Sequence, residues 1–331
     1  MILHIMFLEK KFIPQFIKFV NQNFSQNHKF LIISHKEDVE LKNIKNVEFI
    51  TKKSQFLSVI IQMNKADKII FHSMSSKHIQ WILFLNPWLL QKGYWFTMGA
   101  DFYNPEKKGY IEKFVRKHIA NVVTYVKGDF ELIQKWYHSK ANYIECFKYL
   151  SNLYKDLAIP PKTNDTIYIQ IGVADSPIYN HIEVLQSLEK YKNKNIKIIL
   201  PLSYGNTKYR DKIISFACDI FGDKVEALVD FLPLNKYLEI ISNVDIAIFD
   251  NDRQKGMGNI ISLLGFGKKV YMRKEITPFK MFTDLGVKVF DIKELNLDLI
   301  DESTKKDNIR IIKEHFSEKN YKSQLEKIFG E

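Results

Sequence analysis

Short runs of β-branched and aromatic residues alternate with longer amphipathic stretches along nearly the whole chain, and this alternation narrows the fold more than any other feature. One series of apolar runs lies at Ile2–Phe7, Phe30–Ser34, Lys68–His72, Tyr94–Met98 and Val122–Val126. A second series lies at Thr166–Gly172, Ile196–Pro201, Lys224–Val229, Val244–Asp250 and Lys269–Met272. Helical periodicity fills the gaps, as at Phe12–Asn23, Asn180–Lys192, Tyr209–Phe221 and Ile260–Gly265. Strand followed by helix, repeated, predicts parallel sheets covered on both faces. The nearly continuous apolar runs Ile196–Pro201 and Val244–Phe249 suit strands buried on both sides.

A polar, proline-containing break at Lys155–Asp165, with Pro160-Pro161 inside it, separates the two series. The expected division is an N-terminal Rossmann-like domain over 1–155 and a C-terminal one over 156–331. The second includes a charged C-terminal helix with Ile311, Ile312, Phe316, Tyr321, Leu325 and Ile328 on its apolar side. Two such halves would enclose a cleft, and open α/β sheets bind ligands at the carboxyl ends of their strands.

Lys and Arg number 49 against 38 Asp and Glu, a net charge of +11. The excess suits nucleic acid, an anionic membrane surface or a phosphorylated substrate. Only Arg116, Arg210, Arg253, Arg273 and Arg310 are arginines, and base readout favours the planar guanidinium, so nucleic acid is not the expected partner. Cys146 and Cys218 form neither a metal-ligand pattern nor a disulfide framework, which suits a reducing cytoplasm. The start reads as a strand rather than a signal peptide. The longest nearly apolar segment, Trp81–Leu90, is about half the length of a membrane span.

Three strand-end segments carry chemistry. Gly99-Ala100-Asp101-Phe102-Tyr103 follows a strand, and Asp101 there either accepts a proton from an attacking hydroxyl or caps the next turn. His72, closing another strand, is a second candidate base. Ile171 to His181 runs strand, loop, helix: Gly172 allows close backbone approach, Asp175 and Ser176 are polar, and a helix N-terminus suits phosphate. Phe249 to Asn259 places Arg253, Gln254 and Lys255 before Gly256 and Gly258 at a helix start, apt for a pyrophosphate. The two glycines do not make a dinucleotide fingerprint. Tyr204, after the Ile196–Pro201 strand, either stacks on a base or packs. Lys107, Lys108, Lys113, Arg116 and Lys117, interleaved with Tyr110 and Phe114, make either a solvated face or one suited to an anionic bilayer surface.

At these same segments the sequence resembles glycosyltransferase family 56, the 4-acetamido-4,6-dideoxygalactose transferases of enterobacterial common antigen synthesis. The anchors are Gly99–Tyr103, Gly172–His181, Pro201–Tyr209, Arg253-Gln254-Lys255-Gly256-Met257-Gly258 and Arg273-Lys274-Glu275-Ile276-Thr277-Pro278-Phe279. The resemblance implies the GT-B fold, two Rossmann-like domains facing across a cleft, with the acceptor on the first and the nucleotide sugar on the second. It implies transfer from a dTDP-sugar to an undecaprenyl-diphosphate-linked saccharide by a peripheral protein on the inner face of the inner membrane. No cofactor or metal is expected. Asp101 would then lie at the catalytic centre, with His72 as the other candidate base. The donor would be held by Gly172, Asp175, Ser176, Tyr204, Arg253, Gln254, Lys255, Gly256, Gly258, Asn259 and Glu275. The alternatives are an epimerase or hydrolase of nucleotide sugars on the same architecture, and a non-catalytic basic protein binding anionic lipid or nucleic acid.

Overall fold

The alternation resolves into two all-parallel sheets in the computed structural model, which describes residues 1–10, 12–157 and 162–330. Pro160-Pro161, expected as the linker, falls outside the described residues. The first sheet has seven strands: β1 (Ile2–Phe7), β2 (His28–Ile33), β3 (Val47–Ile50), β4 (Lys68–Phe71), β5 (Gly93–Phe96), β6 (Asn121–Val123) and β7 (Asn142–Ile144). Their order is β3-β2-β1-β4-β5-β6-β7. The second has six: β8 (Ile167–Ile171), β9 (Ile196–Pro201), β10 (Val225–Leu228), β11 (Ile246–Phe249), β12 (Lys269–Met272) and β13 (Phe290–Asp291), in the order β10-β9-β8-β11-β12-β13. Each order reverses direction once, between β1 and β4 and between β8 and β11. Such a reversal splays the flanking loops apart and leaves a crevice at the strands' carboxyl ends.

The central strands need no polar face because helices cover both sides. All four residues of β11 and of β12 are buried, and each fully buried aliphatic or aromatic side chain contributes roughly 1.5–3 kcal/mol. In the second unit Ile169, Ile171, Ile198, Leu200, Ile246 and Ile248 form the middle of the core, against Leu185 and Leu188 from helix His181–Leu188 and Ile213 and Ala217 from helix Thr207–Phe221. In the first, Leu3, Ile5, Leu31, Ile69, Phe71 and Trp95 occupy the equivalent place.

The expected division is corrected at its far end. The chain forms one unit from Met1–Ser151 with Glu318–Glu331 and another from Asn152–Ser317. The expected single C-terminal helix is two, Glu302–His315 and Glu318–Phe329. The first packs on helix Met257–Gly265 in the second unit. The last returns to the first unit. Its Tyr321 hydroxyl donates to the Lys148 carbonyl at 3.1 Å, its Gln324 Oε1 accepts from the Phe147 amide at 3.0 Å, and the Phe329 ring packs edge-on to His28 at 4.6 Å. The apolar stripe slips out of helical register between Phe316 and Tyr321, which is where the two helices separate.

Candidate functional site

In the second unit the strand-end loops converge at the reversal between β8 and β11. Gly172 ends β8 with φ +61°, where a Cβ would stand 2.8 Å from His181 Nε2. The chain then runs through Asp175 and Ser176 into helix His181–Leu188. After β11, Gly256 takes φ +73° and opens helix Met257–Gly265. A side chain at Gly256 would press on Val173 Cγ2 at 3.3 Å and the Tyr179 hydroxyl at 3.4 Å. Glycine there lets the two loops meet. Lys255 Nζ donates to Ser176 Oγ at 3.4 Å and lies over the Tyr179 ring at 5.3 Å. Partial burial, then the positive charge of Arg253, lowers the Lys255 pKa. Asn180 Nδ2 donates to the Asp250 carbonyl at 2.7 Å, a second tie between the same loops.

The loop after β9 joins them. Asp175 and Gly205 form an isolated parallel bridge, with the Asp175 amide donating to the Tyr204 carbonyl at 3.2 Å. Asp175 is buried and its Oδ1 has no hydrogen-bond partner. Tyr204 is half exposed beside it. Behind these loops Gln170 Oε1, both ring nitrogens of His181 and Asn251 Oδ1 are also buried without partners. Buried polar atoms are rarely left so, and they concentrate here at the strand ends of the reversal point. Asn259 accepts from the Tyr237 hydroxyl at 2.5 Å. Gln254 and Gly258 lie on the same turn, part-buried.

Glu275 stands apart from this convergence. Its exposed carboxylate pairs with Lys293. The residue of that segment that reaches β11 is Arg273, whose Nε donates to Asp250 Oδ1 at 2.5 Å.

The first unit treats its candidates differently. Asp101 is only 2% exposed. Its Oδ1 accepts from Ser73 Oγ at 2.6 Å, and its Oδ2 accepts from the Met74 amide, Trp95 Nε1 and the Met98 amide, each at 3.1 Å. Arg116, fully buried, donates to the Asp101 carbonyl at 3.0 and 2.7 Å. With four donors the carboxylate ties the Ser73–Met74 segment to Trp95 and Met98. His72 is likewise 2% exposed, with Nε2 against His4 Nδ1 at 3.1 Å and its ring stacked on Phe96. Burial, then the Lys148 charge, holds its pKa well below the ordinary imidazole value. Both candidates for a base are thus enclosed in this structure.

The family model for 4-alpha-L-fucosyltransferases, glycosyl transferase group 56, matches residues 9–330. The chain belongs to glycosyltransferase family 56. Solved structures agree on the fold. A glycosyltransferase from Rickettsia africae superimposes with a TM-score of 0.68 at 12% identity, covering 99% of this chain and 98% of that one. HepE of Anabaena, in complex with UDP and glucose, gives 0.65 at 12% identity over 99% of both chains. WaaG, a glycosyltransferase of lipopolysaccharide biosynthesis, gives 0.56 at 11% identity, covering 99% and 94%. The molecule is a glycosyltransferase of GT-B fold.

The family-56 transferase also has residues at its strand ends that sequence reasoning missed. Lys148 donates to the carbonyls of His72 and Phe96 at 3.2 and 3.4 Å, at the carboxyl ends of β4 and β5, and burial brings its pKa down to about 8. Ser73 takes φ +135° and passes Asp101's hydrogen bond on to exposed Ser75 at 2.7 Å. A lone lysine among so many, and a serine with strained backbone, leave no pattern to read.

Proposed function

We propose that the second unit binds a nucleotide-diphosphate sugar and that the first receives a lipid-linked saccharide. The carrying observation is the Lys255–Ser176 contact, which joins the β8 and β11 loops at the N-terminus of helix Met257–Gly265. An ammonium, a hydroxyl and unpaired helical N–H groups in one place are what a departing diphosphate requires. Arg253, with Gln254, Gly256, Gly258 and Asn259 along the same turn, extends the cradle. Gly172 and Asp175 border it, and Tyr204 presents a half-exposed ring for a nucleobase. Glu275 belongs at most to its rim.

Catalysis is then mainly electrostatic. As the glycosidic bond to the donor breaks, negative charge builds on the diphosphate, and Lys255, Arg253 and the helix terminus stabilise it most in the transition state. Asp101 is read as the organiser of the acceptor-side loop, not as a proton acceptor.

The family description supports a 6-deoxyhexose as the transferred sugar. The donor we infer is a dTDP-activated 4-acetamido-4,6-dideoxyhexose. The acceptor is an undecaprenyl-diphosphate-linked saccharide at the inner face of the inner membrane, within surface polysaccharide synthesis. Titration with dTDP and UDP tests the donor site: Lys255→Ala and Arg253→Ala should each weaken binding about tenfold or more. Unchanged affinity in both would overturn it.

A further inference from the structure

One face of the first unit leaves six large apolar side chains in solvent. Leu57 and Ile61 lie one turn apart on helix Phe56–Lys65, Trp81 and Leu85 one turn apart on helix Lys77–Leu85, with Trp88 just beyond and Tyr110 opening helix Tyr110–His118. Their exposures run from 49% at Ile61 to 75% at Tyr110. They form one surface. The Phe56 ring stacks on His78 at 4.9 Å, Trp88 Nε1 donates to Asn64 Oδ1 at 2.9 Å, and Phe84 sits edge-on to Trp81 at 6.1 Å and to Tyr110 at 6.0 Å. A groove of about 510 Å³ runs along Trp81, Phe84 and Tyr110.

The charge around this face is one-sided. Residues 52–118 hold eleven Lys and Arg against four Asp and Glu. Three of those four are occupied locally: Asp67 pairs with the Met1 ammonium, Asp101 is buried, and Glu112 accepts from the Gly109 amide; among the cations Arg116 is buried. Lys53, Lys65, Lys107, Lys113 and Lys117 are exposed. Two exposed tryptophans and a tyrosine above a lysine rim match the headgroup layer of a bilayer. Indole and phenol rings prefer that depth, and lysine stems lie along apolar surface while their ammonium groups reach outward. A twofold pairing of two copies would set this lysine rim against itself.

We propose that this face docks on an anionic lipid bilayer, with Trp81, Leu85 and Trp88 entering the interface. The docking rests, for its use, on the reading of a lipid-carried acceptor. It brings the acceptor-side unit to the surface where that substrate resides.

Cosedimentation of the full chain with phosphatidylglycerol vesicles tests it, against phosphatidylcholine vesicles at equal salt. Binding to the anionic vesicles should be at least about tenfold stronger, and should fall about tenfold in the double variant Trp81→Ser, Leu85→Ser. Reversing Lys107, Lys113 and Lys117 to Glu should weaken it as much or more, while dTDP and UDP titrations stay as in the parent. No binding to phosphatidylglycerol, or equal binding by the Trp81/Leu85 variant, overturns the proposal. A dimer in sedimentation velocity that the same variant splits would instead give the face to a second copy. Failure here with transfer to a water-soluble acceptor intact would leave the transferase reading standing. Vesicle binding without nucleotide binding would do the reverse.

Discussion

Gly205 lies so close to Asp175 that a Cβ on it would stand 2.1 Å from the Asp175 Oδ1 and 2.6 Å from its carbonyl oxygen. The loop after β9 meets the loop after β8 because Gly205 has no side chain and takes φ +136°. Two strand-end segments are thereby locked edge to edge beside the proposed nucleotide site.

Gly205→Ala should therefore push the two loops apart. The expected loss is about 1–3 kcal/mol of stability from the strained backbone, with dTDP or UDP affinity falling as well. Gly222 supplies the control, since it has φ +58° and nothing within 4 Å of a Cβ. Gly222→Ala should lower the melting temperature while leaving nucleotide affinity alone. Equal affinities in both variants would mean that the Asp175–Gly205 bridge does not support the site.

Asp101→Asn separates organiser from base. With its amide oxygen in place of Oδ2 an asparagine still accepts from Met74, Trp95 and Met98, and its Nδ2 donates to Ser73 Oγ, whose own proton turns to Ser75, so the network survives while the carboxylate's basicity is lost. An organising role therefore predicts urea unfolding within about 1 kcal/mol of the parent and turnover within about tenfold of it. A variant that unfolds like the parent but turns over a hundredfold more slowly or worse would restore Asp101 as a base.

Legibility in the sequence followed burial. Strands β1, β9 and β12 fall where their largely apolar runs predict, because a strand covered on both faces tolerates little that is polar, here His4, Lys197 and Lys269. Strands β3, β7 and β13 were not readable: they are two to four residues long and sit at sheet edges, where one ladder suffices and little apolar surface is needed. Within the candidate site, Gly256 and Lys255 were visible because a strand end, a cation and a glycine before a helix are neighbours in sequence. Lys148 and the row His72–His4–His28 were not, since their neighbours are assigned only once β2, β1 and β4 are side by side. The last helix misled for the same reason. Its apolar stripe showed that it packs, not which unit it packs on.

Acid should loosen the fold through its buried histidines. Burial holds His181 at a pKa of about 4, against 6.5 for an exposed imidazole. His4 and His72 are lowered as well, chiefly by burial. The unfolded chain therefore binds more protons in this range, so the stability these residues contribute is complete above pH 6.5 and drains as pH falls toward 4. For His181 alone the loss amounts to about 3 kcal/mol. Urea midpoints for the parent and for His181→Leu, from pH 7 down to 4.5, check it. The variant's curve should be flatter, and parallel curves would contradict the assignment.

The final helix should matter to the first unit and not to the second. Tyr321, Leu325, Ile328 and Phe329 are all buried, and Lys68 Nζ donates to the Ile328 carbonyl at 2.7 Å. Burying four such side chains is worth roughly 1.5–3 kcal/mol each, a sum comparable with the whole stability of a domain. A chain ending at Ser317 should thus lose residues 1–151 to limited proteolysis while a fragment close to 152–317 persists. Phe329→Ala is the milder test. It leaves a cavity beside His28 and His4, with an expected cost of about 3–5 kcal/mol. Fragment masses after brief trypsin treatment decide between the units: cleavage first within 152–317 would place the stabilising role of this helix elsewhere.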